Sequence, residues 1–173
     1  VFPKNVIASY QKVFRSAGLT PISFALEGQA IANAVVPKGD TKTYMIVDFG
    51  RTRSGISIVR NGIVSLTSTI DVGGNKLTEA IMKYFKVDDI EAQKIKNKRE
   101  FINNKENKQL YDSLMSTVSA LKGEINRHFV FWNDKDTNKK KEDKISKIIL
   151  CGGNASLVGL TEFLSLGIDA PVE

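Results

Sequence analysis

Cysteine and histidine are almost missing from this chain of 173 residues, which holds one of each. A single Cys excludes a disulfide framework and any zinc site built on several thiolates. A single His gives little support to a histidine-based metal centre or a triad of Ser, His and Asp. No apolar run approaches the roughly 18 residues from which a membrane helix is built, so no transmembrane segment is expected. No secretory leader is visible, and the first residue is Val1 rather than Met, so the sequence reads as an excised piece of something longer. What is present is ordinary for a globular protein: 42% hydrophobic and 25% charged residues, enough for one domain or two small lobes. The net charge is +6. Much of the excess is local, in residues 94–99 and in Lys139, Lys140 and Lys141. A patch of one sign can attract nucleic acid or anionic lipid. No RNP, zinc-finger or helix-turn-helix signature accompanies it, so the lysines read as a solvated helix face and a loop, with no nucleic-acid partner.

The hydrophobic pattern gives the order of elements. Val6, Ile7, Tyr10, Val13, Phe14 and Ala17 recur at helical spacing and predict a helix over 4–17, with Pro3 before it and Gly18 to close it. Residues 21–26 read as a short strand. Residues 28–36, rich in Ala, read as a helix that must stop before Pro37. Residues 37–42 are a polar link and the best boundary between two lobes. Strands follow at 44–48, 55–60 and 63–70. The last two are joined by Asn61-Gly62, a pair suited to a turn with two positive φ angles. In the third strand Ile63, Ser65 and Thr67 should face away from Val64, Leu66 and Ser68. Gly73-Gly74 then opens a helix with Leu77, Ala80, Ile81 and Tyr84 on its apolar face. A short charged helix at 88–100, a polar turn at 102–108 and a long helix at 109–131 come next. Residues 133–144 hold no apolar side chain and predict a mobile loop. A buried strand at 145–150, a sharp turn at 151–154, a helix at 156–166 and a final extended segment complete the chain.

Three short patterns carry chemistry. Asp48, Gly50 and Ser54 form a strand-end carboxylate, a glycine turn and a hydroxyl. Amides of such a turn can cradle phosphate oxygens, and the carboxylate can hold Mg²⁺ through water. Gly152-Gly153-Asn154 lies between a strand and a helix, where glycines let a flat ring approach the backbone. Glu27 precedes a helix with Ala30, Ala32 and Ala34, and an acid there can position a water. Each is common alone; their order in one chain is not.

In that order they resemble the actin-like ATPase superfamily, and within it the PilM family of type IV pilus assembly proteins, relatives of the division protein FtsA. Residues 10–19, the Asn61-Gly62 hairpin and residues 72–78, 91–96, 122–127 and 152–160 match in family order. The resemblance implies an α/β, ribonuclease H-like lobe: a three-stranded meander plus parallel strands with flanking helices. It implies that 1–40 is the end of lobe I with its connecting helix. Residues 41–173 would be lobe II, the nucleotide-binding half, with a small helical insertion at about 87–108. The first phosphate motif of lobe I is missing.

By the same resemblance the cofactors are ATP and Mg²⁺. Asp48 would hold the metal through water, Gly50 to Ser54 would face the γ-phosphate, and Glu27 would position the attacking water. Gln93 and Lys96 would read the ribose, and Gly152, Gly153 and Asn154 would face the adenosine. Glu124 and Arg127 lie on the helix that approaches the base. The chain departs from the family at Arg51 (usually small), Ser54 (usually Thr), Gln93 (usually Glu) and Asn154 (usually Gly). These changes weigh against fast hydrolysis more than against binding, and little ATPase activity is expected of the fragment. The implied role is a cytoplasmic scaffold, peripheral on the inner-membrane face. It would bind the cytoplasmic tail of a PilN-like membrane protein and the pilus inner-membrane complex according to its nucleotide. Rival readings are a filament-forming actin relative of cell division or DNA segregation, and a small-molecule kinase of the same superfamily.

Overall fold

A computed structural model describes residues 3–98, 108–134 and 143–173. The strands β1 (Thr43–Phe49), β2 (Ser54–Arg60), β3 (Ile63–Ile70) and β4 (Ile145–Cys151) form one sheet in the order β3-β2-β1-β4. β1 pairs antiparallel with β2 and parallel with β4, and β2 pairs antiparallel with β3. Beyond β4 the chain end continues the sheet, with Val172 bridged in parallel to Ile148. The β2–β3 turn has φ of 53° at Asn61 and 74° at Gly62, the two positive angles that its sequence requires.

Successive side chains on a strand point to opposite faces, and this pleat sorts the core into two layers. Met45, Val47 and Phe49 of β1, with Ile56 and Ile58 of β2, pack against α3 (Asn75–Phe85), α5 (Lys108–Asp134) and α6 (Leu160–Ser165). α5 supplies the largest share, burying Leu110, Leu114, Val118, Leu121, Ile125 and Phe129 along one stripe. The other face carries Tyr44, Ile46 and Val59 beneath Ala32 and Val36, which belong to or follow α2 (Glu27–Val35). α2 ends because Val36 must be extended ahead of Pro37; its φ and ψ are −93° and 126°. Gln29 anchors this helix to the hairpin, donating to the Gly62 carbonyl and accepting from the Val64 amide.

The structure departs from several expectations. Residues 21–26 form no strand: they join no ladder of the sheet, and Ile22 stays 96% exposed. Val64 and Leu66 do not share a face. A bulge opposes Ile58 to Leu66 and Val59 to Val64, leaving Ser65 extra, so Val64 joins the α2 layer and Leu66 the α5 layer. The last helix begins at Leu160, not 156, because Gly159 sits at φ 81°, outside right-handed helical geometry. Asn133 and Asp134 still belong to α5. The Asn133 side chain accepts the Ile145 amide and Trp132 donates to the Asp143 carbonyl, which ties the helix end to the start of β4. Of the expected turn at 102–108, Lys108 already begins α5; residues 102–107, Arg99 of the basic stretch, and the lysines at 139–141 with most of their loop lie outside the described residues. α1 (Lys4–Ser16) forms as expected, yet buries none of its residues.

Candidate functional site

The pleat decides what the turn after β1 can present. Asp48 is on the α2 face of β1, and its antiparallel neighbour is Gly55, whose missing side chain leaves that face open. Glu27 begins α2 directly above. Glu27, Asp48, Gly50, Arg51, Arg53, Gly55 and Ser57 line a cleft of about 730 Å³ between α2 and the meander. Gly28 packs tightly on Ser57, whose hydroxyl lies 2.5 Å from where a Cβ would stand. The Asp48 carboxyl is half-buried and is pushed above its usual 3.8, first by burial and then by Glu27. Neither carboxylate has an ion-pair partner among the described residues. Cys151, paired across from Asp48 on β4, has its thiol pushed up to about 11 by burial and by the same two acids.

The turn between β1 and β2 is fastened from two sides. From α3 and the residue before it, the amides of Gly74 and Asn75 donate to the carbonyls of Gly50 (3.0 Å) and Arg51 (2.7 Å). From the turn after β4, the Asn154 amide side chain donates to the carbonyls of Phe49 (3.1 Å) and Gly50 (2.9 Å). Asn154 in turn accepts the Lys96 ammonium at 2.7 Å, and Lys96 also reaches the Thr78 hydroxyl at 3.2 Å. Lys96 comes from α4 (Asp89–Lys98) and is only 3% exposed. Burial pushes its pKa below 10.5; Arg51 adds to the shift and Asp89 opposes it. Gly152 has φ 89°, and a Cβ there would strike the Asp48 carboxylate and the Phe49 carbonyl. Gly152 and Gly153 are open to solvent. The β1–β2 turn is therefore held by hydrogen bonds from both flanks, with residues 51–53 exposed.

Of the residues singled out in the sequence, Glu27, Asp48 and Gly50 converge on the cleft, with Gly152 packed behind Asp48. Ser54 does not converge with them. It is fully buried on the opposite face of β2 and gives its hydroxyl to the Val72 carbonyl at 2.6 Å. The pleat that turns Asp48 up turns Ser54 down. Asn154 is not a substitute for a glycine in left-handed geometry. Gly152 holds the positive φ, and Asn154 is there for its amide. Gln93 donates to Thr78 at 3.2 Å instead of facing outward with a free amide. Arg51 borders the cleft, and its guanidinium pairs with Asp89 at 2.8 Å. Glu124 stands apart: it pairs with Arg127 on its own helix, next to the groove between α5 and β3 where Arg127 and His128 meet Leu66. Thr78 and Asp89, both part of the site's frame, were missed by sequence reasoning. Only their contacts mark them, and a Thr or Asp in a helix carries no such signal.

The donor set suits a metal-bound polyphosphate. Two unpaired carboxylates offer oxygen ligands to a hard cation. Arg53 beside them can offer a charge-assisted bond to an anion, while the Arg51 guanidinium holds Asp89.

A family model described as type IV pilus assembly protein PilM matches residues 3–173. The chain belongs to the PilM family. No match to a curated protein sequence is found. Among solved structures, a PilM–PilN type IV pilus biogenesis complex has a TM-score of 0.70 at 20% identity, covering 96% of this chain and 47% of that one. MreB5 of Spiroplasma citri bound to ADP has a TM-score of 0.74 at 15% identity, covering 99% and 60%. The ethanolamine utilization protein EutJ from Carboxydothermus hydrogenoformans has 0.67 at 21%, covering 94% and 54%. These likenesses establish the actin-like ATPase fold for this PilM-family chain, which spans about half the length of the structures it matches. Among the described residues, no helix is long and apolar enough to cross a membrane.

Proposed function

We propose that this chain is the ATP-binding half of a PilM-type scaffold for type IV pilus assembly. Residues 1–40 would close one lobe and residues 41–173 would form the other. The observation that carries the reading is the pair Asp48 and Glu27, unpaired in one cleft beside a glycine turn fastened from both flanks. Bound Mg²⁺ would offset the negative charge of the phosphates. Asp48 would hold it through water, and Gly50 to Arg53 would border the phosphates with backbone and guanidinium groups. Glu27 would orient a water at the cleft mouth. Gly152 and Gly153 would let the adenosine lie against bare backbone. The inward-turned Ser54, Gln93 and Asn154 support binding more than rapid hydrolysis, because they hold the frame and take no part in proton transfer. With nucleotide bound the lobes would close, and closure would set affinity for a partner.

The PilM–PilN complex is a property of that relative; for this chain we take the partner to be a PilN-like cytoplasmic tail. That partner would hold the scaffold in the cytoplasm, peripheral to the inner membrane. The test is binding of a labelled peptide of that tail to the full-length protein. Tighter binding with Mg·ATP than with no nucleotide is expected. Equal affinity in both conditions would overturn the nucleotide-dependent part of the reading.

A further inference from the structure

Arg51 is split between two attachments. Its backbone is fixed, since its carbonyl accepts the Asn75 amide. Its side chain is 64% exposed and pairs with Asp89 at 2.8 Å at the border of the cleft. Asp89 is the first residue of α4 but does not cap it. That task falls to Asp88, whose carboxylate accepts the Glu91 amide at 2.9 Å. Asp89 thus has its carboxylate available for Arg51, while its charge also favours the nearby Lys96 ammonium. An exposed ion pair of this kind is weak and easily exchanged for a better partner. A polyphosphate in the adjoining cleft is such a partner, because several oxygens share a higher charge and match the guanidinium fork. α4 is also held at its far end, through Lys96, Asn154 and the Gly50 carbonyl. That second grip is buried and makes no direct contact with Arg51, although the Lys96 ammonium feels the charges of both Arg51 and Asp89.

We infer that Arg51 is a phosphate-binding residue held in reserve by Asp89, and that this exchange sets the affinity of the cleft for polyphosphate. The inference rests on the nucleotide reading above. When the anion enters, the guanidinium leaves Asp89 and turns to the phosphates; the first turn of α4 loses its tie to the β1–β2 turn while its last turn keeps its own. Asp89 competes with the ligand for one side chain.

The two partners therefore have opposite effects. Calorimetric titration of Mg·ATP into the full-length protein would compare wild type, Arg51→Gln, Asp89→Asn and the double variant. Arg51→Gln should weaken binding about tenfold through loss of a charge-assisted contact. Asp89→Asn should tighten it about two- to fivefold, the scale of an exposed ion pair. In the double variant the Asp89 effect should vanish, leaving the affinity of Arg51→Gln. If both single variants weaken binding, the pair is a structural tie and the inference fails. It fails equally if Asp89→Asn tightens binding as much without Arg51, since that would be the general field of one acid. No binding by folded wild type would overturn the nucleotide reading itself, and the inference with it.

Discussion

At the scale of single residues, the site is built on side chains that are costly to the fold. Asp48 is the clearest case. Burial and Glu27 raise its pKa, so the folded protein binds its proton more tightly than the unfolded chain does. Stability then falls as pH rises from 3.8 through the folded value, and remains lower above it. Asp48→Asn should raise the melting temperature of the nucleotide-free protein at pH 7. The gain should be about 1–2 °C, since the group is only partly withdrawn from water. A lower melting temperature for this variant would show that the carboxylate has a stabilising partner. Asn154 works in the other direction. Asn154→Gly, which restores the residue usual in the family, removes the side-chain donor to the carbonyls of Phe49 and Gly50 and leaves the buried Lys96 ammonium with Thr78 alone. It should cost about 2–4 kcal/mol, seen as a fall of roughly 5–10 °C in a thermal melt. Asp48 was legible in the sequence because a carboxylate at the end of an apolar strand is a visible pattern. The task of Asn154 was not, because its partners lie 58 to 105 positions away.

At the scale of elements, periodicity was a good guide wherever one face of an element is buried. The long helix and the strand before the double-glycine turn follow from it, and the hairpin follows from its Asn61-Gly62 turn. Where pairing or a single backbone angle decides, periodicity failed. Residues 21–26 have strand composition but join no ladder. The bulge at Ser65 swaps the faces of β3, and Gly159 delays the last helix. The two turn glycines separate conformational cost from contact. Gly62 has φ 74°, and a Cβ placed on it would meet nothing within 4 Å. Gly62→Ala should therefore cost only the left-handed penalty, about 1 kcal/mol, read from the midpoint of chemical denaturation. Gly152→Ala adds a collision with Asp48 and Phe49 to the same penalty, and should remove nucleotide binding as well. Equal effects from the two substitutions would mean that the Gly152 cradle is not shaped by Asp48.

At the scale of the whole molecule, the sheet is a partition. One face is filled by α3, α5 and α6 and makes the larger layer of the core. The other is covered by α2 only in part, and the uncovered part is the cleft. α1 and residues 19–26 leave Tyr10, Val13, Leu19 and Ile22 more than half exposed, so this flank contributes little to the buried core. The central claim is that the cleft beside Asp48 takes Mg·ATP. The most direct test is calorimetric titration of Mg·ATP into the full-length protein, beside an Asp48→Ala variant whose fold is confirmed by thermal melt. Micromolar binding by the wild type that collapses in the variant is the predicted result. No binding by folded wild-type protein, or binding that survives loss of Asp48, would contradict the account.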